Sequence, residues 1–163
     1  MTFRPMIRAQ QQLSDSDCSS ILKNEPRGVL SMLGDDDYPY GIPINYYYDE
    51  EDGKIYFHCG KAGHKADAFT RHPKASFCVY DSGTPIDDGL RMTVRSVIVF
   101  GRIEIINDQE KVLTAIRKFC LKYSGDDAYI VNKLERSGPR MMMFALVPEH
   151  MTGKSVVERQ MSR

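Results

Sequence analysis

Eight consecutive residues, His58-Cys59-Gly60-Lys61-Ala62-Gly63-His64-Lys65, bring together two imidazoles, a thiol, two lysines and two glycines. The segment leaves a strand-like run, turns through its glycines and enters a helix-like run. Such a turn offers uncommitted backbone N–H groups beside cationic side chains, which is what a phosphate group needs. The same residues also make an ordinary solvated loop, and the segment alone does not choose between the two. His58 alternates with Phe57 and reads equally as a core histidine. Cys59 reads more readily as a small buried residue than as a redox thiol.

Other chemistries lack their residues. No Ser-His-Asp order, phosphate-binding Walker loop, dinucleotide glycine signature or H-E-x-x-H is present. Cys18, Cys59, Cys78 and Cys120 form no C-x-x-C and have no paired histidine spacing, which speaks against a zinc site and against a disulfide framework. Lys plus Arg and Asp plus Glu are both 22, so the broad positive field that displaces counterions from nucleic acid is absent. The longest apolar run, residues 141–147, is far short of a membrane span, and no apolar stretch near Arg4 and Arg8 suggests export. A cytoplasmic protein with no membrane or nucleic-acid partner is expected.

The elements that must position the segment fit one domain covering residues 1–163, at 18.6 kDa. Turn signals recur at short intervals among β-rich runs, so a mainly β fold is expected, a small barrel with peripheral helices. Ser14 with Asp17 caps a first helix, with Leu13 and Cys18 as its staple, and Pro26 stops it. Residues 28–33 and 38–48 read as two strands around the Gly34-Asp35-Asp36-Asp37 loop. Asp52-Gly53 turns into a third strand of the meander, 54–58. A short helix containing Ala66 and Phe69 ends at His72-Pro73, and 74–80 returns to strand. After a polar loop at 82–89, residues 91–106 make a long strand bent at Gly101. Asn107 with Glu110 opens a helix that Gly125 ends, a short helix follows at 126–136, and residues 141–147 form a last strand. The total is about six strands and three or four helices. Tyr46, Tyr47 and Tyr48 read as sheet and dimer surface.

In order and residues the chain resembles the flavin-binding split-barrel family of pyridoxamine 5′-phosphate oxidase. The likeness rests on Pro26-Arg27-Gly28-Val29-Leu30, on Tyr38-Pro39-Tyr40-Gly41-Ile42-Pro43-Ile44-Asn45, on Ile55-Tyr56-Phe57-His58 through Gly63-His64-Lys65 to Arg71-His72-Pro73, and on Ser96-Val97-Ile98-Val99-Phe100-Gly101-Arg102. It runs from about residue 13 to 154 and looks most like the nitroimidazole-resistance branch, with Met151-Thr152-Gly153-Lys154 closing the order.

The resemblance implies a split β-barrel that forms a homodimer and holds FMN at the subunit interface. It assigns the FMN phosphate to His64 and Lys65, the lining of the flavin to Arg27, Gly28, Val29 and Leu30, and positions beneath it to His58 and Cys59. Ser96 falls where the oxidase has a glutamine touching the ring. His64 stands in place of an arginine, so it is either a weaker phosphate ligand or a group facing the substrate, and in the second role it is the candidate catalytic proton donor, since an imidazole side chain ordinarily titrates near neutrality. The sequence contains no Trp and lacks the oxidase's C-terminal aromatic and basic substrate segment, so vitamin B6 oxidation is not expected. The implied activity is an FMN-dependent oxidoreductase that takes electrons from NAD(P)H or another donor and reduces a small electron-poor acceptor such as a nitroimidazole. The alternative is a non-catalytic flavin- or haem-binding sensor or carrier.

Overall fold

The computed structural model of the protein describes residues 2–86, 91–124, 126 and 141–159. In chain order it runs α1 (Asp15–Asn24), β1 (Arg27–Leu33), β2 (Pro39–Asn45), β3 (Tyr47–Tyr48), β4 (Ile55–Gly60), α2 (His64–Arg71), β5 (Lys74–Tyr80), β6 (Thr84–Ile86), β7 (Arg91–Ile106), α3 (Gln109–Tyr123) and β8 (Met141–Arg159). The strands form one antiparallel sheet in the order β2-β1-β5-β7-β8-β4-β3, with β6 pairing β7.

One detail of that order dictates the shape. β2 and β3 lie at opposite ends of it, yet only Tyr46 separates them in the chain. Cα atoms two residues apart are at most about 7 Å from each other, so the two edges of the sheet must meet there. The sheet therefore curls into a barrel that touches itself at Tyr46. β3 pairs only with Tyr56 and Ile55 of β4, whereas β2 turns away to pair with β1. Among the described residues, no strand pairs with the free edge of β2 or with the free edge of β4 from Phe57 to Gly60. The barrel is split along that line, which is the architecture the resemblance implies.

The core follows from strand alternation. Leu30 and Met32 of β1, Phe77 and Val79 of β5, Val97, Val99 and Ile103 of β7, Phe57 of β4, and Phe144 and Leu146 of β8 all point inward and are buried. Phe57 stacks on Phe144 at 5.1 Å and meets Phe77 edge-on at 5.2 Å, while Phe69 of α2 lies 4.9 Å from Phe144 and plugs one end. The Ser14 side chain accepts from the N–H of Asp17 and caps α1, as its spacing predicts. The long strand over 91–106 is present, and its register shifts between Phe100 and Gly101. A Cβ on Gly101 would sit 2.2 Å from the Val147 carbonyl oxygen, so the close approach there admits only glycine.

Several expectations are corrected. The 38–48 run is not one strand but two, broken at Tyr46, so β4 is not the third strand of a meander. Tyr46 is fully buried rather than surface, and its ring meets Phe77 edge-on at 4.8 Å. Asp108, not Asn107, caps α3, its side chain accepting from the N–H of Lys111. The last strand does not stop at Val147 but continues to Arg159, because Pro148 falls at the register shift, where a missing N–H breaks no regular ladder. The loop after β5 contains β6, giving eight strands and three helices among the described residues. Gly125 and most of the helix expected at 126–136 lie outside the described residues. Among those residues no helix is long and apolar enough to cross a membrane.

The break at Tyr46 costs two ladder hydrogen bonds, and α3 replaces them. The Tyr123 hydroxyl accepts from the Tyr46 N–H at 3.0 Å, and the carbonyl oxygens of Tyr46 and Pro26 both lie within its donating reach. Beside it Lys122 donates to the Glu25 carbonyl at 2.7 Å and lies 3.8 Å above the Tyr46 ring. Burial pulls the Lys122 ammonium down to a pKa of about 8. Below pH 8 the lysine is charged in both folded and unfolded chains and its burial penalty is complete. Between pH 8 and about 10.5 the unfolded chain holds a proton that the folded one does not, so this group makes stability rise with pH. Urea unfolding should show the rise in wild type relative to Lys122→Met by roughly 1 to 2 kcal/mol, after allowance for solvent screening. The comparison must be between the two proteins, because burial raises the pKa of Cys18, Cys59 and Cys78 and works the other way above pH 9.

Candidate functional site

The split leaves unpaired backbone groups on the facing edges of β2 and β4, and the chain from β4 into α2 runs across its end. Gly63 caps α2 at φ 119°, a conformation L residues rarely adopt, and no side chain supplies the cap. The first N–H groups of α2 are therefore available to an anion. Lys65 stands in that first turn, half-buried, and among the described residues it makes no ion pair. Its charge is felt by Cys59, whose thiol burial pushes up while Lys65 pulls it back.

His64 is held on several sides. Its ring stacks on Tyr40 of β2, with centroids 4.1 Å apart and planes 17° from parallel. Its Nε2 lies 3.5 Å from Oδ2 of Asp35, and the other oxygen of that carboxylate takes Arg71. The Arg71 hydrogen bond holds the Asp35 carboxyl below the usual carboxylate range. Asp35 sits in the loop from β1 to β2, where Asp36 and Asp37 adopt left-handed φ values of 52° and 61°. A Cβ on Gly34 would come within 3.3 Å of His64 Nε2, so glycine leaves room for the ring.

The structure divides the nine expected site residues among three places. His58, Cys59, His64 and Lys65 belong to the segment at the split, although His58 turns to α3 and meets Phe119 edge-on at 4.8 Å. Arg27, Val29 and Ser96 face outward on the sheet. Arg27 donates to Asn45 at 3.2 Å, and Ser96 lies between Tyr80 and Lys154, with β8 between its strand and β4. Gly28 and Leu30 point into the core, and a Cβ on Gly28 would strike the Phe77 ring at 2.4 Å. His64 neighbours Tyr40, which pairs with Met32, while Arg27 lies five residues back along β1, roughly 17 Å away. A single chain therefore does not gather Arg27, His64 and Lys65 around one phosphate. Asp35, Tyr40 and Arg71 were missed. Arg71 is seven residues from His64 on the same helix face, and the acidic run in the loop was the available signal for its partner.

The likeness to known proteins lies mainly in shape. A candidate 5-nitroimidazole antibiotic resistance protein from Bacteroides thetaiotaomicron superposes with a TM-score of 0.75 at 19% identity, over 90% of this chain and 87% of the other. A conserved hypothetical protein of Mycobacterium tuberculosis gives 0.78 at 20% identity, over 92% and 90%. A FAD-binding protein from Mesorhizobium loti gives 0.65 at 20% identity, over 90% and 97%. No curated protein sequence matches the chain significantly. The model of one sequence family, described as pyridoxamine 5′-phosphate oxidase, does match over residues 14–155. Since that stretch takes in α1 to α3, β1 to β7 and most of β8, the chain belongs to the pyridoxamine 5′-phosphate oxidase family.

Proposed function

We propose that the protein is an FMN-dependent oxidoreductase that reduces small, flat, electron-poor acceptors such as nitroimidazoles. The observation that carries the reading is the uncapped start of α2 at the end of an open split in the sheet, with Lys65 beside it making no ion pair among the described residues. A monophosphate fits such a place, with the first N–H groups of α2 and the Lys65 ammonium as its donors. The open backbone edges of β2 and β4 suit a planar ring carrying donors and acceptors of its own. Bound flavin would supply the electron pair, received from a reduced nicotinamide or another donor.

Reducing a nitro group to a nitroso group takes two electrons and two protons and releases water. His64 supplies one proton and solvent the other. With Nε2 facing Asp35, Nδ1 is the atom that gives up the proton. The outward positions of Arg27 and Ser96, away from the split, support a homodimer in which that face of one copy completes the site of the other.

The test is titration of the protein with each flavin, followed by anaerobic mixing of the dithionite-reduced form with a nitroimidazole. FMN is expected to bind more tightly than FAD. Lys65→Ala should weaken FMN binding by about 1 to 3 kcal/mol, read as a roughly 5-fold to 150-fold rise in the dissociation constant. A preference for FAD, which the name of the Mesorhizobium loti neighbour favours, would replace FMN in this reading. A flavin-loaded monomer in sedimentation would sink the two-chain site. Binding without any electron transfer would favour the sensor or carrier.

A further inference from the structure

We infer that Asp35 is the positioning residue of His64, holding the imidazole by its Nε2 edge so that Nδ1 is the nitrogen turned to proton delivery. The inference rests on the reading of His64 as proton donor.

Four features converge on this one ring, one of them through another. Tyr40 fixes its plane by stacking at 4.1 Å. The Asp35 carboxylate faces Nε2 at 3.5 Å. Arg71, two turns further along α2, takes the second oxygen of the same carboxylate and so keeps Asp35 in place. Gly34 leaves the gap the ring needs.

The loop is shaped for this. Gly34 N–H donates to the Tyr38 carbonyl at 2.8 Å and Tyr38 N–H to the Asp35 carbonyl at 3.1 Å, closing the turn on itself. Asp36 and Asp37 adopt the left-handed backbone that aspartate tolerates better than most residues, and both stay exposed. Asp35 alone of the three is turned onto α2. The Asp35–Arg71 pair by itself tethers the loop to the helix, and it leaves the other carboxylate oxygen facing the stacked ring.

The chemistry follows from acceptor and donor roles. A carboxylate accepts only, so it favours a proton on Nε2. When the imidazolium loses its other proton from Nδ1, the neutral form that remains is the one that presents an Nε2–H to Asp35. The same carboxylate occupies the Nε2 edge against a second anion, which leaves a phosphate to Lys65 and the α2 amides. Proton delivery and cofactor retention are therefore separable properties of neighbouring residues.

The test compares wild type with Asp35→Ala, Asp35→Glu, Arg71→Gln and His64→Gln. In 15N-histidine-labelled protein without flavin, the one-bond Nε2–H cross peak of His64, assigned by its loss in His64→Gln, is expected in wild type. It should broaden away in Asp35→Ala and return in Asp35→Glu. With FMN bound, Asp35→Ala should slow reoxidation of the reduced protein by a nitroimidazole about tenfold to a hundredfold, the range for losing a partner that orients a working imidazole. The FMN dissociation constant should change less than about threefold. Arg71→Gln, which frees the second oxygen of the Asp35 carboxylate, should weaken the cross peak and slow reoxidation in the same direction as Asp35→Ala but by less.

An unchanged cross peak in Asp35→Ala, or a proton on Nδ1 in neutral wild type, would overturn the assignment. So would a slow His64→Gln beside a normal Asp35→Ala, while leaving the proton-donor reading intact. A normal rate in His64→Gln would overturn that reading instead, and the cross peak then decides alone whether Asp35 holds the ring.

Discussion

Replacing His64 with glutamine is expected to slow anaerobic reoxidation of the reduced flavoprotein by a nitroimidazole about 10²- to 10⁴-fold while the bound flavin remains. Glutamine keeps a planar polar head and can still donate an N–H toward Asp35, so the neighbourhood of the split should survive. It has no proton to give up near neutral pH. Retention of flavin should hardly change, because Nε2 faces a carboxylate at 3.5 Å and Lys65 and the uncapped amides of α2 are left to hold the phosphate. Pre-reduction with dithionite isolates this half-reaction from the unknown donor. If the variant sheds its flavin and reoxidises normally once saturated, His64 is a phosphate ligand and solvent provides both protons. If neither protein reoxidises, the carrier reading prevails.

The second large effect concerns stability. Tyr123→Phe removes one hydroxyl, which receives the Tyr46 N–H at 3.0 Å and faces the Tyr46 carbonyl at 2.8 Å. Both groups belong to the peptide units where the sheet changes partner, and neither has a strand neighbour to fall back on. Leaving them unpaired should cost about 2 to 4 kcal/mol in urea unfolding, since each orphaned backbone group carries its own desolvation penalty. The Phe ring keeps the packing against Phe119, at 5.2 Å in the wild type, so the loss reports the hydrogen bonds and not the aromatic contact. A loss below about 0.5 kcal/mol would mean that water replaces the hydroxyl and that α3 does not latch the seam.

The pattern of what was legible in the sequence follows the range of the interactions. The Ser14 cap, the Gly53 turn and the long strand kinked at Gly101 depend on residues close in the chain, and local rules locate them. The turn at 58–65 announced itself by glycines beside cations. Arg71 and Asp35 meet only because the β1–β2 hairpin packs against α2, and no spacing encodes that. Tyr46 was unreadable for a related reason. Three successive tyrosines look like one continuous strand, and the break at Tyr46 is set by two different partner strands competing for the two halves. Pro148 misled in the opposite sense, ending a strand on paper that a register shift lets continue. The split of the expected residues between two faces was also hidden, since it depends on which side of each strand faces the core.

The pairing of Ile55 with Leu146 sets the order in which the molecule can be assembled. The hairpin of β1 and β2 and the β5–β7 pair can form as soon as they are synthesised, and α3 can reach Tyr46 before the remainder exists. β4 has to wait. Its long neighbour is β8, which follows all the other described strands in the chain, slots between β7 and β4 and completes the barrel wall. Until then both β7 and β4 offer open edges that can recruit a strand from another nascent chain. Closure across such a sequence distance is slow compared with hairpin formation, so the interval of exposure is built into the topology. Shortening the protein from its C-terminal side therefore yields no smaller working unit, because whatever removes β8 leaves a sheet with two adhesive margins and no wall between them.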